Sequence, residues 1–205
     1  MLLAIDTANR FLSLSVSSKN GDFYFTSDIP NLQLEIISHE VDLLCKKSGF
    51  SASDLTEVVV NRGIGSFNGI RVGVSYAVGL TSFSDIKLKT ITTHDILYHK
   101  ALLDCEKNGD QDYCQIITKG DGLNKLCVGK FSMESLRVES FINSDADELD
   151  GGFIISDADL IDSFDGKDLD VVYVSKNSAE ALLAAAKLSS AEVGIVDSFY
   201  FRGFL

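Results

Sequence analysis

A glycine-rich stretch, residues 61–81, constrains the fold of this chain more than any other part of its sequence. It follows Val58-Val59-Val60, a short β-branched run that is typical of a buried strand. Gly63 and Gly65 then allow a tight turn, since glycine adopts backbone conformations that other residues avoid. Ser66 is a favourable N-cap, because its hydroxyl accepts a hydrogen bond from the first turn of a helix. The stretch therefore predicts a strand, a tight turn and a helix.

The helix predicted after Ser66 carries small residues four positions apart, at Gly69, Gly73 and Ala77. Each glycine inside a helix costs about 1 kcal/mol relative to alanine. Close packing against another backbone should offset that cost, so this stripe marks a contact surface. Two interpretations stay open at this point: the stripe docks another protein, or it packs on the chain's own sheet.

A second amphipathic helix is predicted over residues 32–48, with Asn31 as its N-cap. Its spacing places one set of apolar side chains on a single face: Leu34, Ile37, Val41 and Leu44. Ile36 and Leu43 add a second apolar stripe, which is more than one sheet requires. Both helices flank the strand at 58–60, and right-handed crossovers would place them side by side on one side of the sheet.

The rest of the chain alternates between predicted strands and helices, which indicates an α/β protein with a mixed sheet. Asn20-Gly21 is a strong hairpin turn. Strands are predicted at 2–5, 11–16, 22–26, 86–91, 171–175 and 193–196, with a hairpin over 113–131. Further helices are predicted after the caps Thr93 and Ser178.

The glycine-rich stretch also carries a family resemblance. It reads Gly63-Ile64-Gly65-Ser66-Phe67-Asn68-Gly69-Ile70-Arg71-Val72-Gly73, which resembles the Gly-Pro-Gly-Ser-Phe-Thr-Gly-Leu-Arg-Ile-Gly signature of the bacterial TsaB (YeaZ) family. Members of that family are partner subunits in making threonylcarbamoyl-adenosine on transfer RNA. Ile64 and Asn68 depart from the signature. Gln33-Leu34 also replace the family's His-Ser pair, and Thr118-Lys119-Gly120 stand where its Asp-Ala-Arg-Arg-type motif would fall.

This resemblance implies the actin-like ATPase (ribonuclease-H-like) fold, with two lobes, a mixed sheet and a reduced second lobe. We expect an N-terminal lobe at 1–108 and a smaller C-terminal lobe at 109–205. In catalytic members of the fold the first hairpin holds a nucleotide phosphate, so Asp6 and Thr7 become candidate nucleotide-binding residues. The alternative, which we favour, is that Asp6 bonds the backbone of its own turn.

A second candidate site is the glycine loop, where Gly63, Gly65 and Ser66 lead into a helix N-terminus that could bind an anion. The alternative, which we also favour, is that these glycines only allow close packing. Neither a Walker A loop nor a dinucleotide-binding glycine motif is present. His94 and His99 lie five residues apart, which is unsuited to a ligand pair on one helix face. We therefore predict no catalytic residue and no metal site.

The charge balance bears on partners, because 30 acidic residues against 18 basic ones give a net charge of −12. Nucleic-acid binding relies on clustered Lys and Arg, so we expect no direct tRNA binding. Ten acidic residues fall within 145–170, which favours a solvated edge over a calcium site. No signal peptide or membrane span is evident, and the four cysteines form no CxxC pair, so we expect a cytoplasmic protein.

Two functions from different classes remain. The first is a non-catalytic scaffold or activator subunit that binds a TsaD-like carbamoyltransferase, with a TsaE-like ATPase as a further partner and a homodimer when alone. The resemblance implies docking through the two helices, at Leu34, Ile37, Val41, Gly69, Gly73 and Ala77. No cofactor is expected in the chain itself, although ATP could bind at a complex interface. The second is an actin-fold phosphotransferase or ATPase that uses Asp6 and the 63–66 loop.

Overall fold

A computed structural model describes residues 1–104, 113–119, 126–132, 137–144, 153–157, 160, 170–174 and 178–188. Its contacts divide the chain into two units, one of Met1–Thr93 with Asn177–Leu205 and one of His94–Lys176. This division differs from the boundary expected after residue 108. Helix α4, Ala179–Leu188, belongs to the first unit because it packs on the sheet of that unit.

The first unit is built on a five-stranded mixed sheet. Its strands are β1 (Leu2–Asp6), β2 (Ser13–Ser18), β3 (Gly21–Thr26), β4 (Glu57–Asn61) and β5 (Lys87–Ile91), in the order β3-β2-β1-β4-β5. β1 and β2 pair antiparallel, as do β2 and β3 through the predicted Asn20-Gly21 turn. β1, β4 and β5 are parallel, so their carboxyl ends lie at one edge of the sheet.

Two helices cover one face of this sheet. They are α1 (Gln33–Lys47) and α2 (Phe67–Thr81), which contact each other as well as the strands. The core between them and the sheet is apolar, and its largest contributions come from Leu3, Ile5, Leu14, Val58, Val60, Ile37, Val41, Leu44 and Val74. The predicted placement of the two helices, side by side on one sheet face, is confirmed. α4 lies on the opposite face, where the Ser15 hydroxyl donates to the Ala179 carbonyl at 2.5 Å.

The helix termini agree in part with those predicted from the sequence. Ser66 caps α2 as predicted, since its hydroxyl accepts the Gly69 N–H at 3.3 Å. The assignment of Asn31 as the cap of α1 is wrong, because Leu32 holds that position and makes no side-chain cap. Asn31 has a φ of 62° instead, a left-handed conformation that asparagine tolerates better than most residues.

The second unit contains helix α3, which begins at Thr93 and ends at Asp104, and a second sheet. The strands are β6 (Tyr113–Lys119), β7 (Leu126–Ser132), β8 (Arg137–Ser144), β9 (Phe153–Asp157) and β10 (Asp170–Val174), in the order β10-β9-β6-β7-β8. Three antiparallel strands are again followed by two parallel ones. The two sheets therefore share one topology, although the sequence shows no repeat.

Some predictions fall on residues that the structure does not describe. These are the strand at 193–196 and most of the acidic segment 145–170. The hairpin over 113–131 is confirmed by β6 and β7. Within the described ranges, none of the helices has the length and apolar character needed to cross a bilayer.

Candidate functional site

The glycine loop and the candidate nucleotide-binding residues meet at the carboxyl edge of β1, β4 and β5. β1 ends at Asp6, β4 ends at Asn61, and the chain enters α3 directly after β5. A group of polar residues at this edge is buried: Asp6, Thr7, Asn9, Asn61 and Thr93. The parallel pairing of β1 with β4 brings together side chains that lie far apart in the sequence.

Asp6 is the centre of this polar network, and only 1% of its surface is exposed. Its Oδ1 accepts hydrogen bonds from the Ala8 backbone N–H and from the Asn61 Nδ2, each at 2.9 Å. Its Oδ2 accepts a hydrogen bond from the Asn9 Nδ2 at 2.6 Å. Both carboxylate oxygens therefore have partners within the first unit, which supports the favoured interpretation that Asp6 holds its own turn.

Asn61 ties the carboxylate to the glycine loop. Its Nδ2 donates to the Thr93 Oγ1 at 3.0 Å as well as to Asp6, and its Oδ1 accepts the Gly63 N–H at 2.9 Å. Thr93 in turn donates its hydroxyl hydrogen to the Ile64 carbonyl at 2.5 Å and its N–H to the Gly63 carbonyl at 2.8 Å. One amide side chain thus fixes β1, the loop and the start of α3.

The glycines of the signature allow the loop and α2 to lie directly on the turn after β1. A Cβ on Gly65 would overlap the Ala8 carbonyl oxygen, and one on Gly69 would overlap the Thr7 carbonyl oxygen. Gly63 has a φ of +113°, in the region that favours glycine, and the Gly63–Ile64 peptide bond is cis. The Ser66 N–H donates to the Ala8 carbonyl at 2.7 Å. Close packing therefore accounts for the glycines of this loop.

The residues predicted to bind a partner occupy two different environments. The side chains or backbones of Ile37, Val41, Gly69, Gly73 and Ala77 are buried within the first unit, whereas 70% of Leu34 is exposed. A stripe of small residues four apart looks the same in sequence whether it meets a partner or its own sheet. Of these predicted partner-binding residues, only Leu34 is exposed on the first unit.

Other apolar side chains are exposed on the same pair of helices. Phe67 and Val78 of α2 are 52% and 36% exposed, and with Leu34 they form what we call the outer helical surface. The Arg71 guanidinium lies 5.4 Å from the centre of the Phe67 ring. Neither Phe67 nor Val78 was predicted as a site residue. Sequence reasoning also missed Asn9, Asn61 and Thr93, although a polar residue directly after a buried β-branched run is a signal for such a position.

The environment of His94, in the second unit, differs from that of the polar residues around Asp6. His94 is fully buried, and its Nε2 lies 3.3 Å from the Cys127 carbonyl oxygen. Burial lowers the pKa of His94 to about 4, against the opposing effect of carbonyl contacts, and burial raises the pKa of the Cys127 thiol to about 12. Both groups are neutral near pH 7. The described ranges contain no cluster of three His, Cys, Asp or Glu side chains able to hold a metal ion.

Comparisons with known proteins agree with this architecture. The sequence profile of the family described as "TsaD: tRNA N6-adenosine threonylcarbamoyltransferase" matches residues 32–129, just under half of the chain. No curated protein matches the sequence.

Solved structures match over nearly the whole chain. An uncharacterized protein with similarity to peptidase YEAZ from Pseudomonas aeruginosa is 16% identical, with a TM-score of 0.74, covering 91% of this chain and 89% of that one. YeaZ from Pseudomonas aeruginosa is 15% identical, with a TM-score of 0.73, covering 91% and 90%. The inorganic polyphosphate/ATP-glucomannokinase from Arthrobacter sp. strain KM is 12% identical, with a TM-score of 0.50, covering 91% and 97%. The fold is therefore the actin-like, ribonuclease-H-like α/β fold that the sequence predicted.

Proposed function

We propose that this YeaZ-like protein is a non-catalytic scaffold or activator subunit that binds a TsaD-like carbamoyltransferase in forming threonylcarbamoyl-adenosine on tRNA. The observation that carries the proposal is a contrast between two parts of the first unit. The polar residues at the carboxyl edge of the sheet bond one another, while the outer helical surface presents apolar side chains to solvent. The family match adds tRNA modification as the setting.

The polar edge is poorly suited to nucleotide chemistry. A phosphate or a hydrated cation at Asp6 would compete with the hydrogen bonds from Ala8, Asn9 and Asn61. Breaking bonds in a buried network is costly, because each group left without a partner costs roughly 1–3 kcal/mol. Gly65 and Gly69 lie against the turn after β1, so closely that a Cβ at either position would overlap its carbonyl oxygens. This arrangement favours a structural role for the signature.

The outer helical surface suits a protein partner. α1 and α2 both run back across the sheet between parallel strands, so their first turns lie at the same end of the sheet. Leu34 and Phe67 lie in those first turns, one on each helix. Exposed aromatic and aliphatic side chains that rim a helix pair are typical of interaction sites. The net charge of −12 would attract a basic, tRNA-binding partner.

Several further parts of the proposal follow from the resemblance. In the absence of the catalytic subunit, the outer helical surface would pair with its like in a homodimer, since a twofold contact uses one surface twice. A TsaE-like ATPase would join the assembled complex, and ATP would bind at the complex interface. The protein would work in the cytoplasm, where tRNA is modified.

The test is the affinity of the purified chain for a purified TsaD-like catalytic subunit, measured by calorimetry. Leu34→Asp and Phe67→Asp should each weaken binding by about tenfold or more, because each places a charge in an apolar contact. Leu188→Asp is the matched control, since Leu188 is 53% exposed at the end of α4 on the opposite face of the sheet. Absence of binding by the wild-type chain would refute the proposed function.

An enzyme that uses Asp6 and the 63–66 loop is the second candidate. Its support is the fold shared with the glucomannokinase, at a TM-score of 0.50. The hydrogen bonds around Asp6 count against it. The two candidates predict opposite results for nucleotide turnover by the isolated chain.

A further inference from the structure

The turn between α2 and β5 presents an aromatic residue in an unfavourable position. Phe83 is fully exposed, and its backbone φ is 63°. A left-handed conformation is rare for a bulky residue, and glycine or asparagine is the usual choice just beyond the end of a helix. Exposure of the ring to water is a second, independent cost. Neither the exposure of the ring nor its backbone conformation favours phenylalanine at this position in the isolated fold.

The turn that carries Phe83 is held in place by its neighbours. The Ser82 hydroxyl and the Ser82 N–H both donate to the Val78 carbonyl, at 2.7 and 2.8 Å. The Ser84 hydroxyl donates to the Thr81 carbonyl at 3.0 Å, and it accepts the Ile86 N–H at 3.4 Å. The phenyl ring is therefore projected from a backbone that is already ordered. Such preorganisation lowers the entropy lost when a side chain enters a binding pocket.

The surroundings of the ring resemble the anatomy of an interface anchor. Ser82, Ser84 and Asp85 are exposed on either side of Phe83, so one aromatic group stands within a polar border. Binding energy at protein interfaces concentrates in such aromatic side chains, bordered by polar residues that exclude water. Val78, part of the outer helical surface, lies one turn before the end of α2. Phe83 therefore follows the carboxyl end of the helix that carries Phe67 and Val78.

We propose that Phe83 is the aromatic anchor of the docking surface, inserted in an apolar pocket of the TsaD-like catalytic subunit. This inference rests on the proposed function and extends its interface to the far end of α2. From Phe67 to its last residue, Thr81, the helix rises about 21 Å, at 1.5 Å per residue. A contact of that length matches the roughly 800 Å² that each partner buries in a stable complex.

A protein fits this anchor better than a membrane does. The chain carries a net charge of −12, and Asp85 lies two residues from the ring. An acidic surface is repelled by anionic lipid headgroups, whereas membrane-binding segments combine aromatic residues with Lys and Arg. A pocket with a basic rim would complement both the ring and Asp85.

The experiment compares binding and stability in the same variants of the full chain. Phe83→Gly should weaken binding of the purified catalytic subunit by about tenfold or more, as expected for loss of an aromatic anchor. Its melting temperature should stay the same or rise by about 3 °C, because glycine suits the left-handed backbone. Phe83→Tyr should retain affinity within about threefold, since the ring remains. Leu188→Ser serves as the control for loss of an exposed apolar side chain elsewhere.

The outcomes separate the two proposals. If wild type and Phe83→Gly bind equally while Leu34→Asp does not bind, the anchor is refuted and the proposed function stands. If the wild-type chain does not bind the catalytic subunit, both are refuted. If Phe83→Gly loses affinity but also melts earlier, the loss reflects structure and the anchor is refuted. Binding of the wild type, but not of Phe83→Gly, to phosphatidylcholine vesicles would reassign the ring to a lipid surface and overturn the proposal.

Discussion

The hydroxyl oxygen of Thr7 occupies the space that a Cβ on Gly73 would need. The same hydroxyl donates to the Gly69 carbonyl at 2.7 Å, one helical turn earlier on α2. The Val60 side chain would also be in tight contact with that Cβ, at 3.4 Å. The residue after the end of β1 therefore packs against the small-residue stripe of α2. The glycines allow this close packing, although they lower the helix propensity of α2.

A pair of glycine variants tests this fit. Gly73→Ala should destabilise the fold by about 2–4 kcal/mol, because the methyl group displaces buried Thr7 and Val60. Gly79→Ala should stabilise it by up to about 1 kcal/mol, because Gly79 lies in the same helix with open space at the Cβ position. Urea unfolding of the two variants measures both effects. Equal stability of the two variants would show that α2 does not pack on β1 in this way.

The bulkier variant Gly73→Leu tests a docking role for the stripe. The structure predicts that this variant fails to fold, since the leucine would enter the core between α2 and β1. Circular dichroism of the purified variant is the measurement. A folded Gly73→Leu protein that loses its partner would restore the docking interpretation and contradict the packing described above.

Asn61 supports a prediction about the polar network around Asp6. Asn61→Ala should cost about 2–4 kcal/mol of unfolding free energy, since Asp6, Gly63 and Thr93 each lose a hydrogen bond in a buried place. Asn68→Ala is the control, because Asn68 is exposed on α2. Denaturant unfolding measures the difference. A cost no larger than that of the control would mean that the network adds little to stability.

The sequence predicted the local elements of the first unit better than their contacts. The strand, glycine turn and capped helix around Ser66 depend on neighbouring residues, so their pattern is visible in the sequence. The bond between Asp6 and Asn61 joins residues 55 positions apart and exists only because β1 and β4 pair in parallel. The direction of the glycine stripe was equally hidden, since periodicity identifies a face but not what covers it.

The second unit was harder to predict for a different reason. Tyr113–Lys119 and Leu126–Ser132 were found as a hairpin because apolar runs flank a glycine turn. β8, Arg137–Ser144, was missed because charged and polar residues interrupt its alternation. The shared order of the two sheets was also missed, since two sheets with one topology need no similarity of sequence. The shared strand order is visible only from the pairing between strands.

Buried histidines predict how stability depends on pH. Burial lowers the pKa of His94 and of His99 to about 4, from an ordinary value of 6.5. Between pH 6.5 and pH 4 the unfolded chain therefore binds more protons than the folded chain, so stability falls as the pH falls. The full stability is present above pH 6.5. As the pH falls to 4, each histidine lowers the free energy of unfolding by up to about 3 kcal/mol.

The measurement is urea unfolding at intervals from pH 7.5 to pH 4.5. His99→Gln should reduce the slope of stability against pH, because one titrating group is removed. His94→Gln provides a second comparison, in which the Nε2 contact with the Cys127 carbonyl is lost as well. A slope that is identical in both variants and the wild type would contradict the role of the buried rings.

Nucleotide turnover separates the two proposed functions. We expect negligible ATP hydrolysis by the purified chain, because both Asp6 oxygens are already bonded by Ala8, Asn9 and Asn61. Phosphoryl transfer needs a held metal ion and cationic groups around the transferring phosphate, and the 63–66 loop contains neither Lys nor Arg.

The measurement is steady-state phosphate release with Mg-ATP through successive purification steps. The decisive control is Asp6→Asn, which keeps the shape of the side chain and removes its charge. Activity that copurifies with the wild-type chain and disappears in Asp6→Asn would make this protein an enzyme, whereas activity that survives in the variant would belong to a contaminant.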